Sequence, residues 1–352
     1  MIPICKPPRP KKKALEDIPF HEYKAILSYV LDGDQNEIIK MYTSNIFSYD
    51  GDDKKTIEQK KKILEYAKRR ATGEALQYIL GEVNFFGYDY KTRKGVFIPR
   101  PETESMIDHF LHAIGSKYYN TKDYFWKKEH LKILDLCTGS GVVALTIGNE
   151  FLRWGKMGSH KGSFSTASII GIDKSDAAIE LANENKDLYK RVNVKFEKLA
   201  IPEELQKIKN NTLENEKLSK IISEADAIIA NPPYVPRDSF VTEEVLYNEP
   251  HDALFSGNPD ADDNGMTLAK SIIYHSQFSR ARMLFMECHD QNADELSKFA
   301  KKYFDGVYIR KDYGRRKRYL QCYRGFRNLR NLNLKEFLAQ LPRQLLQKML
   351  YK

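Results

Sequence analysis

The stretch Leu131-Lys-Ile-Leu-Asp-Leu-Cys-Thr-Gly-Ser-Gly-Val-Val-Ala144 decides the fold. LKILDL (131–136) is a short apolar run with an acid near its end, and a glycine-rich turn and an apolar helix follow it. The glycines let the backbone approach a ligand closely, and the start of the helix offers N–H groups that lack intrahelical partners. Downstream, SIIGID (168–173) reads as a second strand, ending in Asp173. Ser175 or Asp176 caps the next helix, whose face is Ala178, Ile179 and Ala182. VNVKFE (192–197), DAIIA (226–230) and MLFMEC (283–288) are further strands. Strands alternating with helices predict a parallel, doubly wound sheet. VYIRKD (307–312) and RYLQCYR (318–324) face each other across a charged turn, which predicts an antiparallel hairpin at the sheet edge.

Upstream, the period is helical. Tyr23, Ile26, Leu27 and Val30 recur at the 3/4 spacing of one helix face. Ile38, Ile39 and Tyr42 suggest a second helix. Ile57, Ile63, Leu64 and Ala67 suggest a third, with Gly73 as its C-cap. VNFFGYDY, a polar turn and GVFI (83–98) then read as a β-hairpin linking this helical domain to the next. Polar, weakly periodic stretches at about 115–130, 153–167 and 203–223 read as surface-loop insertions. The division expected is a basic tail (1–17), a helical domain (18–82), a linker (83–104), an α/β domain (105–325) and a C-terminal helical tail (326–352).

Composition narrows the class. A chain of 352 residues holds about two domains. Apolar residues at 41% and charged residues at 30% exclude collagen, a long coiled coil and wholesale disorder. The net charge of +9 favours an anionic partner or a basic organelle. Cys5, Cys137, Cys288 and Cys322 form no CxxC pair, which argues against a disulfide framework or a structural zinc and for a reducing compartment. His289, beside Cys288, has no partners at metal-ligand spacing, so no metal is expected. No apolar run reaches the ~18 residues that span a membrane. Residues 1–13 are basic and free of acids, as mitochondrial presequences are, but their prolines spoil an amphipathic helix; a targeting role and a solvated tail weigh equally. Lys60–Lys62 and Arg315–Arg318 read as solvated charge runs, with a ribosome or RNA contact as the alternative.

Two ligands suit the glycine turn. A dinucleotide would place its pyrophosphate there, matching GxGxxA. S-adenosylmethionine would place its amino-acid part and ribose there, and Asp135 suits its cationic end. Asp173 takes ribose hydroxyls in either case. Asn231-Pro232-Pro233-Tyr234 ends the DAIIA strand, at the edge where open α/β sheets bind ligands. Two prolines donate no N–H, so the turn offers carbonyl acceptors with few competing donors. An Asn oxygen and a proline carbonyl together accept both hydrogens of one planar NH₂ group, and Tyr234 stacks on the flat group carrying it. Such a receptor holds a poorly nucleophilic amide nitrogen and aims its lone pair at an electrophilic methyl; the proton leaves afterwards.

Together the glycine turn, Asp173 and NPPY resemble class I S-adenosylmethionine methyltransferases that act on planar nitrogens. Ala75-Leu-Gln-Tyr-Ile-Leu-Gly81 and Phe97-Ile-Pro-Arg-Pro-Glu-Thr-Glu104 narrow the resemblance to the HemK/PrmC family of protein N5-glutamine methyltransferases. Glu249-Pro-His-Asp-Ala-Leu254 and Arg310-Lys-Asp312 are similar to later family segments. The resemblance spans roughly 60–325 and implies a mostly parallel seven-stranded sheet with an antiparallel edge hairpin, plus a small N-terminal helical domain. It implies methylation of the glutamine of the Gly-Gly-Gln loop in peptide-chain release factors, tuning translation termination. It also implies cofactor contacts from Asp135, Cys137, Thr138, Gly139, Ser140, Gly141, Asp173 and Asn231. Asn231, Pro232, Pro233 and Tyr234 would hold the glutamine amide, Arg100 would lie against substrate, and the helical domain would contact the release factor.

There are departures from the family pattern. Glu197-Lys-Leu-Ala-Ile201 lacks the acid and aromatic expected near an adenine, Cys137 stands where glycine is common, and the insertions are long for a bacterial member. The long form with an N-terminal domain resembles bacterial and mitochondrial enzymes, and the insertions, the Lys/Asn/Tyr-rich composition and the basic N-terminus point to a fungal-like mitochondrial member acting on a mitochondrial release factor, with a cytoplasmic enzyme as the alternative. Neither a membrane nor direct nucleic-acid binding is required. Three other readings compete: methylation of an exocyclic amine on adenine or guanine in DNA or RNA, an NAD-dependent oxidoreductase, and a non-catalytic binding protein on the same fold.

Overall fold

A computed structural model describes residues 18–34, 36, 38–39, 53–115, 130–157, 166–203, 213–237, 239–256 and 264–324. The basic tail, Tyr42, most of the 115–130 and 153–167 insertions, part of 203–223 and the 326–352 tail lie outside them. The chain forms two units. One comprises residues 1–99 with 238–254, the other 100–237 with 255–352.

In the first unit, α1 (Phe20–Val30) and α2 (Lys54–Ala71) come from the first and third of the three stretches with helical period. Asp53 caps α2 by accepting from the Thr56 N–H at 3.0 Å. Gly73, at φ +85°, follows its C-terminus, where a left-handed residue terminates a helix without a Cβ penalty. Ile26, Leu27 and Ile63 are fully buried where the apolar stripes meet. Arg70 ties three helices together. It pairs with Glu22 on α1 at 2.7 Å and with Glu244 on α8 (Glu243–Asn248) at 2.9 Å. Removing a buried cation leaves its partner charged and unpaired. Arg70→Met is therefore expected to cost about 3 kcal/mol of stability, measured as a shift of the urea midpoint at unchanged slope.

Residues 238–254 belong to this unit rather than to the α/β domain in which the chain order had put them. Asn248 accepts from the Ala75 N–H (3.1 Å) and donates to the Gly73 carbonyl (2.8 Å). Glu249 accepts from the Ile98 N–H. These bonds satisfy backbone groups that the loops would otherwise bury unpaired.

The hairpin after α3 (Leu76–Leu80) also differs from expectation. It closes inside VNFFGYDY, between β1 (Glu82–Phe85) and β2 (Tyr88–Lys91). The turn is Phe86-Gly87, at φ +57° and +80°. Two consecutive positive φ values match the twist of antiparallel strands. GVFI forms no strand; Tyr78 fastens it by donating to the Val96 carbonyl at 2.6 Å.

The second unit opens with α4 (Pro101–Gly115) and continues as a doubly wound sheet. Its elements are β3 (His130–Leu136), α5 (Val142–Met157), β4 (Thr166–Asp173), α6 (Asp176–Leu188), β5 (Val194–Lys198), α7 (Leu213–Glu224), β6 (Ala227–Ala230), α10 (Thr267–Ser276), β7 (Met283–Glu287), α11 (Ala293–Ala300), β8 (Gly306–Lys311) and β9 (Lys317–Tyr323); α9 (His251–Leu254) belongs to the first unit. The order across the sheet is β5-β4-β3-β6-β7-β9-β8. All pairs are parallel except those made by β9, which is antiparallel to β7 and β8. This is the expected edge hairpin. The four residues of β6 and the five of β7 are all buried, as strands covered on both faces must be. The chain runs outward from β3 to β5 and then returns to β6 on the other side of β3. That reversal opens a crevice at the carboxyl ends of β3 and β6.

Candidate active site at the carboxyl edge of the sheet

The register places the two sequence motifs side by side. Leu136 pairs with Ala230, so the glycine turn after β3 and the NPPY turn after β6 leave the sheet next to each other. Cys137, Gly139 and Gly141 have φ of +60°, +54° and +80°. Glycine adopts these values at no steric cost, whereas Cys137 is held in the left-handed region. The turn is fastened by its own groups. The Thr138 N–H donates to the Ile172 carbonyl at 3.0 Å, and the Gly141 N–H to the Thr138 carbonyl at 2.9 Å. The Gly139 N–H donates to Asp173 Oδ2 at 3.0 Å. Asn185 on α6 donates to the Ser140 carbonyl at 3.0 Å.

Gly141 and Gly139 have different reasons for being glycine. A Cβ on Gly141 would lie 2.6 Å from Phe196 Cζ, whereas one on Gly139 would meet nothing within 4 Å. Gly141 allows the start of α5 to press against β5, and Gly139 borders open space. Strain at positive φ and overpacking add, so Gly141→Ala is expected to destabilise by about 2–4 kcal/mol. The check is a thermal melt beside Gly139→Ala, which carries only the backbone strain.

Two carboxylates flank the turn. Asp173 holds its Oδ2 on Gly139 and its Oδ1 on the Ser175 N–H at 3.0 Å. Asp135 is 1% exposed. Thr138 donates to its Oδ2 at 2.6 Å, while Oδ1 has no well-formed hydrogen-bond partner. Burial pushes the Asp135 carboxyl up to about 7, against the hydroxyl of Thr138. A buried acceptor of this kind suits a cationic group and repels a pyrophosphate, which weighs against a dinucleotide.

On the other side, Asn231 is half-buried and its Nδ2 donates to Thr103 Oγ1 on α4 at 3.2 Å. Pro232 is buried. Burial first, and Glu287 second, push the Tyr234 hydroxyl well above its usual range. Arg100 immediately precedes α4, and its carbonyl accepts from the Thr103 N–H at 3.0 Å.

Three residues of this neighbourhood carried no role in the sequence reading. Glu287 ends β7 and is fully buried. Thr103 was read only as part of FIPRPETE. Arg318 was read as part of a solvated charge run, yet its side chain is 15% exposed and pairs with the buried Asp312 at 3.0 Å. One signal was available: Glu287 is an acid closing an all-apolar strand, as Asp135 and Asp173 nearly are. Beyond β5, the Leu199 N–H donates to the Asp173 carbonyl at 2.9 Å, and Glu197 pairs with Lys195 and Lys217.

A seven-stranded sheet of this order, with a glycine turn and two acids at its switch point, defines the class I S-adenosylmethionine-dependent methyltransferase fold. Residues 127–250 match a family model described as a methyltransferase domain. A release factor glutamine methyltransferase of Thermodesulfovibrio yellowstonii is 31% identical over 79% of this chain and 83% of its own length. Proteins of the same name from Flavobacterium psychrophilum (31%, covering 68% and 72%) and Coxiella burnetii (29%, covering 68% and 70%) are also similar. The chain belongs to the release factor glutamine methyltransferase family.

Proposed function

We propose that this chain transfers a methyl group from S-adenosylmethionine to the N5 side-chain nitrogen of the glutamine in the Gly-Gly-Gln motif of a peptide-chain release factor. The observation that carries the reading is the Asn231–Tyr234 turn at the switch point, with Asn231 Nδ2 committed to Thr103. The acceptor end of that amide is then the one available to a substrate NH₂ group. Asn231 Oδ1 and a proline carbonyl accept its two hydrogens, Tyr234 covers the flat amide, and together they orient the nitrogen lone pair. No strong base is needed before transfer, because the proton leaves from the methylated nitrogen.

The cofactor supplies the electrophilic methyl. Asp135 and the Cys137–Gly141 turn would hold its methionine part, and Asp173 its ribose. The buried Asp135 carboxylate and the open space at Gly139 fit such a group. An exocyclic base amine would suit the same turn, but the curated relatives named above act on release factors by name. Among the described residues no helix is long and apolar enough to cross a membrane.

The test is incubation with S-adenosylmethionine and purified release factors, including a mitochondrial one, followed by tandem mass spectrometry of the Gly-Gly-Gln peptide. A one-methyl gain on that glutamine is expected. Its absence on every release factor overturns the reading. The helical unit would supply the release-factor contact, and the basic residues 1–13 support a place in the mitochondrial matrix, tested by import into isolated mitochondria.

A further inference from the structure

Glu287 is a buried acid of this edge that the proposed chemistry leaves unused. The pairing of Ala230 with Met286 puts it beside Asn231. Neither carboxylate oxygen has a well-formed hydrogen bond. Its polar neighbours are the hydroxyls of Thr103 and Tyr234 and the Arg318 guanidinium, with Glu102 as a like charge acting on it. Arg318 is itself held by Asp312. A single carboxylate thus faces both ends of the substrate turn, Tyr234 directly and Asn231 through Thr103.

A hydroxyl that accepts from Asn231 Nδ2 keeps its own proton free to donate. The acceptor within its reach is Glu287. An ionised carboxylate only accepts, so it fixes the direction of the whole chain of donors. An asparagine amide has nearly the same shape in either orientation. Flipped, Asn231 would present NH₂ to a substrate NH₂, donor against donor.

We propose that Glu287 and Thr103 are positioning residues for methyl transfer: the carboxylate orients the Thr103 hydroxyl, which holds Asn231 with its Oδ1 toward the substrate amide. The inference rests on the reading of the Asn231–Tyr234 turn as the glutamine receptor. Burial raises the Glu287 carboxyl to about 7, so the directing charge is complete only above that pH.

The experiment compares wild type with Thr103→Val, Thr103→Ser and Glu287→Gln, at saturating cofactor so that titration of Asp135 drops out. Thr103→Val removes the relay at nearly constant volume. It is expected to lower kcat about 10- to 100-fold, the scale of a misplaced reacting group, with KM for the release factor and cofactor Kd within about threefold. Thr103→Ser is expected to restore most of kcat. The wild-type kcat is expected to rise with pH through about 7, an arm that Glu287→Gln lacks. In the cofactor-free protein, the Asn231 side-chain NH₂, assigned by Asn231→Ala, is expected to exchange hydrogen more slowly in wild type than in Thr103→Val. Wild-type kcat in a folded Thr103→Val, or a serine variant no better than the valine, overturns the proposal. If wild type methylates no release factor, the functional reading fails and the exchange comparison alone decides whether the relay exists.

Discussion

Asn231→Ala loses methyl transfer by about 100- to 1,000-fold in kcat, the cost of deleting one pre-aimed polar group from a water-excluded site. The argument is geometric. An amide nitrogen shares its lone pair with its carbonyl and attacks poorly unless both hydrogens are drawn to fixed acceptors. In the proposed reading Asn231 is the side-chain half of that pair, and its nitrogen is fixed at 3.2 Å on Thr103. Alanine deletes the acceptor and leaves the proline carbonyl alone, so the substrate nitrogen rotates freely about one bond. Because the family resemblance also counts Asn231 among the cofactor contacts, binding is measured as well. Calorimetry with S-adenosylmethionine is expected to show a Kd within about tenfold of wild type, while mass spectrometry shows the kcat loss. A variant with near-normal kcat would remove Asn231 from the chemistry.

Asp135→Asn is expected to weaken cofactor binding while stabilising the empty protein. Its carboxylate is buried, and removing one charge from a buried charge-assisted contact costs about 2–4 kcal/mol, or roughly 30- to 1,000-fold in Kd. The stability effect has the opposite sign. Burial raises the folded carboxyl from 3.8 to about 7, so folding favours its protonated form. That contribution is complete below about pH 4 and is lost as pH rises through 7. By pH 8 the ionised group costs the empty protein on the order of 4 kcal/mol, a cost asparagine lacks. The variant's urea midpoint is therefore expected to exceed wild type's at pH 8, with the gap closing toward pH 5. Equal midpoints at pH 8 would show that the carboxylate is better solvated than its burial implies.

Local chemistry was legible where the sequence writes it locally. The five parallel strands, the edge hairpin and the helices α1 and α2 follow from period, and the Ser175 cap is observed where the spacing put it. Where two local signals competed, the reading missed. GVFI had strand composition, but Phe86-Gly87 is where the backbone reverses, because both residues sit at positive φ. The Arg315–Arg318 run looked like solvated charge because strand alternation inside it is hidden by four consecutive cations. Residue Arg318 nevertheless turns inward to Asp312.

What the sequence determined by itself is the class of the sheet, the position of the glycine turn and the placing of NPPY at the end of its strand. Each depends on residues close together in the chain, whose spacing sets the backbone they adopt. Only the tertiary structure decided that residues 238–254 pack with the helical unit, and that Thr103, Asn231 and Glu287 meet. Those three lie on α4, after β6 and at the end of β7. Their meeting follows from the order of strands across the sheet, which puts β6 against β7 and brings a buried carboxylate beside the turn. Long-range pairing of this kind is settled by burying apolar strands on both faces, and no local spacing records which strand will be the neighbour.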